Sequence, residues 1–239
     1  MVYKYYKNQN FEDFACGRVI YGRAGFTNYP VKIAYEVFNR ALEYTDKKDN
    51  ITVYDPCCGG GYLLTVLGLL NPDEISRIIA SDVSTEAVAL AKENLSLLSE
   101  EGLMKRKQQI EEMLVKFNKQ SHRDALKSVE VFYDIIKKRG HDPEITCFTA
   151  DVLDSSQFED RDFSADILIT DVPYGDLVSW SEEDDSLNRF LTNIIPVLHE
   201  NSILVISTDK SQKIKNECFH RLERFSIGKR LISILQLIV

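Results

Sequence analysis

A carboxylate followed by a run of small residues is the first place in this chain where side chains are arranged to do chemistry. The segment is Asp55-Pro56-Cys57-Cys58-Gly59-Gly60-Gly61-Tyr62, preceded by Val53 and Tyr54. Glycines let a ligand press against the main chain and let a turn take positive φ without steric cost. The helix expected from Tyr62 to Leu70 then starts beneath that ligand. A dinucleotide fingerprint also places glycines after a first strand, but its turn faces a pyrophosphate, and Asp55 would set a carboxylate against two like charges. An acid here suits a cation. S-adenosylmethionine (SAM) offers an α-amino group and a sulfonium and no phosphate, so Asp55, Cys57, Gly59, Gly60 and Gly61 are candidates for holding its methionine moiety. The plainer alternative is a glycine turn that only joins a strand to a helix.

Three further apolar runs end in acids. Arg77 to Asp82 closes about a score of residues after the glycine loop, where a βαβ nucleoside site places its ribose acceptor, which makes Asp82, with Val83 beside it, the ribose candidate. Thr146 to Asp151 puts Asp151 and Val152 at the adenine edge. Ile167 to Gly175 opens into Asp171-Val172-Pro173-Tyr174, which supplies an acceptor for an N–H, a rigid turn with a free carbonyl, and a ring to stack on. Those parts hold a planar nitrogen base. Asp171, Pro173 and Tyr174 are therefore the catalytic candidates, and Trp180, just beyond, either stacks on RNA or packs in the core. Any one acid alone also reads as a solvated loop residue. Together the acids point to a SAM-dependent base methyltransferase.

Residues 55 to 70, Ala80 to Val83, Thr149 to Val152 and Thr170 to Gly175 resemble the avilamycin-resistance 23S ribosomal RNA guanine methyltransferases. The likeness runs over most of the chain, including Gly17 to Pro30, the Lys-rich stretch after Gly102, Lys213, and Ser226 to Arg230. It implies methyl transfer from SAM to a guanine, at N1 or alternatively N2, of 23S rRNA or a large ribosomal subunit precursor, and with it resistance to a ribosome-targeting antibiotic. It implies a Rossmann-like class I methyltransferase fold as well: a twisted, mostly parallel seven-stranded sheet with helices on both faces. Gly60 stands where the family has serine and Asp176 where it has glutamate, and the run Glu182 to Asp185 is unlike it. Other readings of the same motifs are a tRNA, DNA or small-molecule methyltransferase, or a non-catalytic ribosome-assembly factor that keeps the fold.

The remainder must position these groups. A chain of 239 residues, 44% hydrophobic, can bury one sizeable core, so a single domain over 1–239 is expected, with an N-terminal extension over 1–50 and a helical insert over about 99–144. In the insert, apolar residues recur at three- and four-residue spacing, with a break over Asn118 to Asp124 and an end at Gly140 and Pro143. It reads as an RNA-docking, self-pairing or merely packing element, with His122 and His141 at its surface. A helix from Ser186 to Leu198, a strand from Ile203 to Thr208, and two strands around Phe225 and Leu231 to Val239 complete the order. The net charge of −8 opposes phosphate binding, but local basic patches soften it, and Arg18, Arg23, Lys213 and Arg230 are the candidate RNA contacts. Five scattered cysteines imply reduced thiols in a cytoplasmic protein and no metal site, and no apolar run reaches membrane length. A monomer or a homodimer is expected.

Overall fold

The computed structural model describes residues 3–6, 10–172 and 185–238. Seven strands form one sheet: β1 (Ile51–Asp55), β2 (Ile75–Asp82), β3 (Glu144–Thr149), β4 (Ala165–Asp171), β5 (Leu198–Asp209), β6 (Phe219–Ile227) and β7 (Arg230–Leu237). Their order is β3-β2-β1-β4-β5-β7-β6, parallel from β3 to β5, with β7 running antiparallel between β5 and β6. From β1 the chain steps outward through β2 to β3, then returns to lay β4 on β1's other side. In open α/β sheets, ligands settle in the crevice at such a switch point, outside the carboxyl ends of the strands.

Strand side chains alternate faces, and the two apolar clusters follow this period. Ile51, Val53, Ile167, Ile169, Ile203, Val205, Ile232 and Ile234 point to one face; Tyr54, Leu168, Leu204, Ile206 and Leu235 point to the other. The first face carries the thicker layer: α1 (Val31–Tyr44), α2 (Tyr62–Leu70), α3 (Thr85–Ser96) and the helical insert, whereas α6 (Ser186–Asn193) covers the second. α2 is apolar all round because it is covered all round, with every residue but Leu70 buried. Each such Leu or Val contributes about 1.5–3 kcal/mol of burial. Counting in twos from the first-face residues puts Asp55, Asp82, Asp171, Ser207 and Arg230 on the same face, at its upper edge.

The insert is an antiparallel hairpin of α4 (Glu100–Phe117) and α5 (Gln120–Arg139). Ser99 caps α4 through the Gly102 amide at 3.1 Å, and Asn118, at φ 48°, ends it. The break is thus two residues, narrower than the polar run to Asp124 implied, because that run lies on an exposed helical turn. His141 is exposed as expected, but His122 is half-buried beside Phe117. Expectation also failed at α6, which stops at Asn193. Pro196 has no N–H to continue the ladder and starts a short 3₁₀ turn, Ile195–Val197. β5 accordingly begins at Leu198, five residues earlier than expected, where Leu198 pairs Ala165 beside a bulge.

Before α1, residues 3–6 are held to it by a buried carboxylate. Glu36 accepts the backbone N–H groups of Lys4, Tyr5 and Tyr6 at 2.7, 2.8 and 3.2 Å and Arg40 Nε at 2.7 Å. Burial works against its charge, yet these donors hold its pKa below the ordinary carboxylate value.

Candidate active site

A cavity of about 600 Å³ opens at the carboxyl ends of β1, β2 and β4. Its floor is the glycine loop, with Gly59 at φ 51° and Gly61 at φ 72°. Asp82 fastens this loop to β2: one carboxylate oxygen accepts the Gly59 N–H at 2.9 Å and the other the Ser84 N–H at 3.0 Å. Gly59 and Gly60 line the cavity, while Gly61, expected to touch a ligand, does not. Its missing side chain instead lets α2 start against α3, since a Cβ there would lie 2.9 Å from the Ala91 Cα. At Gly60 a Cβ would come within 2.6 Å of a Leu90 methyl, so a serine there would require Leu90 to move.

Four carboxylates face this space, those of Asp55, Asp82, Asp151 and Asp171. Asp55 is 2% exposed, and burial pushes its pKa up to about 7; Asp82 and Asp171 push the same way, while the Cys57 amide, 3.0 Å from Asp55 Oδ1, pulls it down. A buried acid set this way gains when a cation arrives, which fits an ammonium or sulfonium ligand. Burial also raises the Cys57 and Cys58 thiols well above their ordinary value, so they are neutral and unreactive at neutral pH. Among the described residues no group of His, Cys, Asp or Glu is placed to hold a metal.

Asp171 is not alone. Arg230 Nε lies 3.1 and 3.2 Å from its two oxygens and Arg230 Nη2 lies 2.9 Å from Oδ2, a forked pair with both side chains about one-fifth exposed. Burial raises the Asp171 pKa and Arg230 opposes the rise. Arg230, a candidate RNA contact, lines the cavity, because the pairing of Asp209 with Arg230 sets the start of β7 beside the end of β5. Its guanidinium also lies 5.1 Å from the centre of the Tyr29 ring, whose hydroxyl meets Ser207 Oγ at 2.7 Å.

Asp82, Val83, Asp151 and Val152 line the cavity. Asp151 Oδ1 accepts the Leu153 N–H at 2.9 Å and leaves its other oxygen for a ligand. Arg23 lines the edge, with its guanidinium 3.3 Å from Glu86. Arg18 is elsewhere, paired with Glu12 at 2.6 Å beneath the insert, and Lys213 lies outside the lining. Neither is brought to the site. Pro173, Tyr174 and Trp180 lie outside the described residues.

The main feature missed from sequence is the roof. Residues Tyr21 to Tyr29 cross the cavity as a strap whose Phe26, Asn28 and Tyr29 line it. Asn94 of α3 holds one end: it accepts the Tyr21 N–H at 2.8 Å and donates to the carbonyls of Tyr21 at 3.2 Å and Gly60 at 2.8 Å. Arg106 of α4 grips the same end, donating to the Val19 carbonyl at 2.9 Å and lying 4.1 Å from the Tyr21 ring centre, while the Tyr21 hydroxyl reaches Gln109 at 2.9 Å. Asn94, 1% exposed, stands in the last turn of α3, a helix end where an asparagine is ordinary in sequence.

A seven-stranded sheet with one reversed strand, a glycine loop after β1 and acids at successive strand ends define a class I methyltransferase fold. The sequence matches the family described as "RRNA methyltransferase AviRa" over residues 1–230. The chain belongs to that rRNA methyltransferase family. It is 35% identical over 227 residues, 91% of this chain and 88% of the relative, to the "23S rRNA (guanine(2535)-N(1))-methyltransferase" of Streptomyces viridochromogenes. Its structure is similar to rRNA methyltransferase aviRa from the same organism, with TM-score 0.88, 31% identity, and 96% of this chain and 94% of that one covered. TrmN from Thermus thermophilus, 14% identical with TM-score 0.53 over 90% of this chain and 51% of its own, shares the fold.

Proposed function

We propose that this chain is a single catalytic domain that methylates N1 of a guanine in 23S rRNA, with SAM as donor. The observation that carries the reading is the forked Asp171–Arg230 pair in the cavity that also holds Asp55 and Asp82. The family and its 35% identical relative supply the RNA and the base.

When bound, SAM supplies an electrophilic methyl group. Asp55 and the backbone of Gly59 and Gly60, with the Gly59 N–H kept by Asp82, would hold the methionine end, the remaining lone pairs of Asp82 would meet the ribose hydroxyls, and Asp151 and Val152 would meet the adenine. The guanine N1–H points to Asp171. As the N1–carbon bond forms and the sulfur–carbon bond breaks, N1 gives its proton to the Asp171 carboxylate, which passes it to solvent. Arg230 keeps Asp171 ionised and aimed, and its charge answers the negative charge that develops on the base. Tyr174 stacks on the base and the Pro173 carbonyl accepts from its amino group. To reach this cavity the guanine must leave its stack or lie in a loop. An rRNA substrate places the protein in the cytoplasm, and methylation there confers resistance to an avilamycin-type drug.

The test is methyl transfer from labelled SAM to unmodified 23S rRNA and, in parallel, to tRNA, followed by nuclease digestion and mass spectrometry. N1-methylguanosine in one fragment of 23S rRNA is expected. Label in tRNA alone, or in no RNA, overturns the reading.

A further inference from the structure

The insert's function is not accounted for by packing alone. On α4 the last buried side chain is Ile110, and on α5 the first is Ala125; the residues between them include none that is buried. Between them only the half-buried Met113 still packs against the core, so the hairpin leaves the body about one turn after Arg106 and Gln109 have gripped the strap that roofs the cavity. At 1.5 Å per residue, Phe117 stands about 12 Å along the helix from Gln109. The free tip thus starts at the edge of the cavity's roof and extends away from it.

The chemistry of this tip differs from the rest of the chain. Its end, Met113 to Arg123, contains no acid, in a protein of net charge −8, while Glu111, Glu112 and Asp124 lie at its base. It presents Lys116, Lys119 and Arg123 to solvent, and no ion pair among the described residues engages them. Among these cations Phe117 is 51% exposed and Val115 87% exposed. The Lys116 and Lys119 ammonium groups lie 5.1 and 5.8 Å from the centre of the Phe117 ring. An exposed ring flanked by cations is the arrangement that stacks on an unpaired base while the cations meet the adjoining phosphates. Self-pairing through the same end would bring two sets of three cations face to face, with the acids Glu111, Glu112 and Asp124 set back at its base.

We propose that the tip of the α4–α5 hairpin is an RNA-docking site, taking a single-stranded or loop segment of the substrate RNA, with Phe117 against a base and Lys116, Lys119 and Arg123 on phosphates. The proposal rests on the rRNA methyltransferase reading above. Docking at the tip anchors the RNA beside the strap, through which Arg106 and Gln109 tie the insert to the cavity's roof.

The test uses the full chain and unmodified 23S rRNA transcript. Lys116→Glu/Lys119→Glu/Arg123→Glu should raise the KM for RNA by about tenfold or more and flatten the log–log salt dependence of RNA binding by roughly two to three. Phe117→Ala should raise the RNA Kd by about five- to a hundredfold. SAM affinity and melting temperature should stay at parental values in both, since the side chains are exposed. Parental RNA KM and salt slope in the triple variant, with methylation intact, overturn the docking site and leave the activity standing. A parent that methylates no RNA overturns the activity itself. A parent that is dimeric by sedimentation, becoming monomeric in the triple variant with RNA binding unchanged, makes the tip a subunit contact and overturns RNA docking.

Discussion

Lowering the pH from 7 to 5.5 should weaken SAM binding, and Asp55 sets the size of the effect. Burial carries this carboxyl from an ordinary 3.8 up to about 7. The sign follows directly. An acid whose pKa is raised on folding binds its proton more tightly in the folded protein, so the ligand-free fold loses stability as pH rises from about 4 to about 7, by on the order of 4 kcal/mol from this group. Above that window Asp55 is ionised and the cost is fully present. A cationic ligand reverses the balance by favouring the carboxylate. Below pH 7 SAM must displace the proton, so its Kd should rise by up to about tenfold per pH unit, with about one proton released on binding. Over this range the ligand's own amino group, with a pKa of roughly 8, stays charged and adds no slope. Calorimetry in buffers of different ionisation enthalpy reads both the Kd and the proton count. Asp55→Asn should bind SAM weakly at every pH and lose the slope. A wild-type Kd that is flat from pH 5.5 to 7 with no proton release would refute the assignment of Asp55 to the cation.

Asp171→Asn should lower methyl transfer by on the order of 10²-fold or more while leaving SAM affinity within a few fold, read by single-turnover kinetics; full activity would remove the base role. Arg230→Gln leaves Asp171 buried without its cation, so its pKa should rise and the acid limb of the kcat profile move to higher pH, and an unmoved limb would refute the pairing. Asp82→Ala removes the acceptor for the Gly59 and Ser84 amides along with any ribose contact, so SAM affinity should fall by about 1–3 kcal/mol together with the melting temperature. Lost affinity at an unchanged melting temperature would show that the loop does not need it. Arg106→Ala should raise the Kd for SAM through a loosened strap, measured by equilibrium dialysis, with Arg106→Lys recovering less than half of the loss because a point charge cannot both stack and fork.

The glycine loop and the strand-end acids were legible because parallel strands, covered on both faces, read as unbroken apolar runs, and the residue after each run must emerge at the same edge. Their common face follows from the period of two. Arg230 was legible only as a basic residue. Its partner lies 59 positions earlier and meets it solely because β7 enters the sheet backwards between β5 and β6, a choice no local pattern records. The strap carries neither helical nor strand periodicity, so nothing in residues 21 to 29 marks them as a wall. Cys57 and Cys58 read from the sequence as reduced thiols outside any metal site, but the burial that keeps them neutral is a property of the packed loop.

The turn between β6 and β7 is two residues long, Gly228 and Lys229, with Ile227 paired to Arg230 and Gly228 at φ 61°. Such a turn on an outer hairpin is ordinarily where a protein engineer would splice in a tag or a cross-link, since surface connections tolerate insertion. Here it serves as a ruler. A single residue added and absorbed into β7 would swing the guanidinium to the opposite side of the sheet, and Ile232 and Ile234 with it. Labels for this molecule belong on another loop.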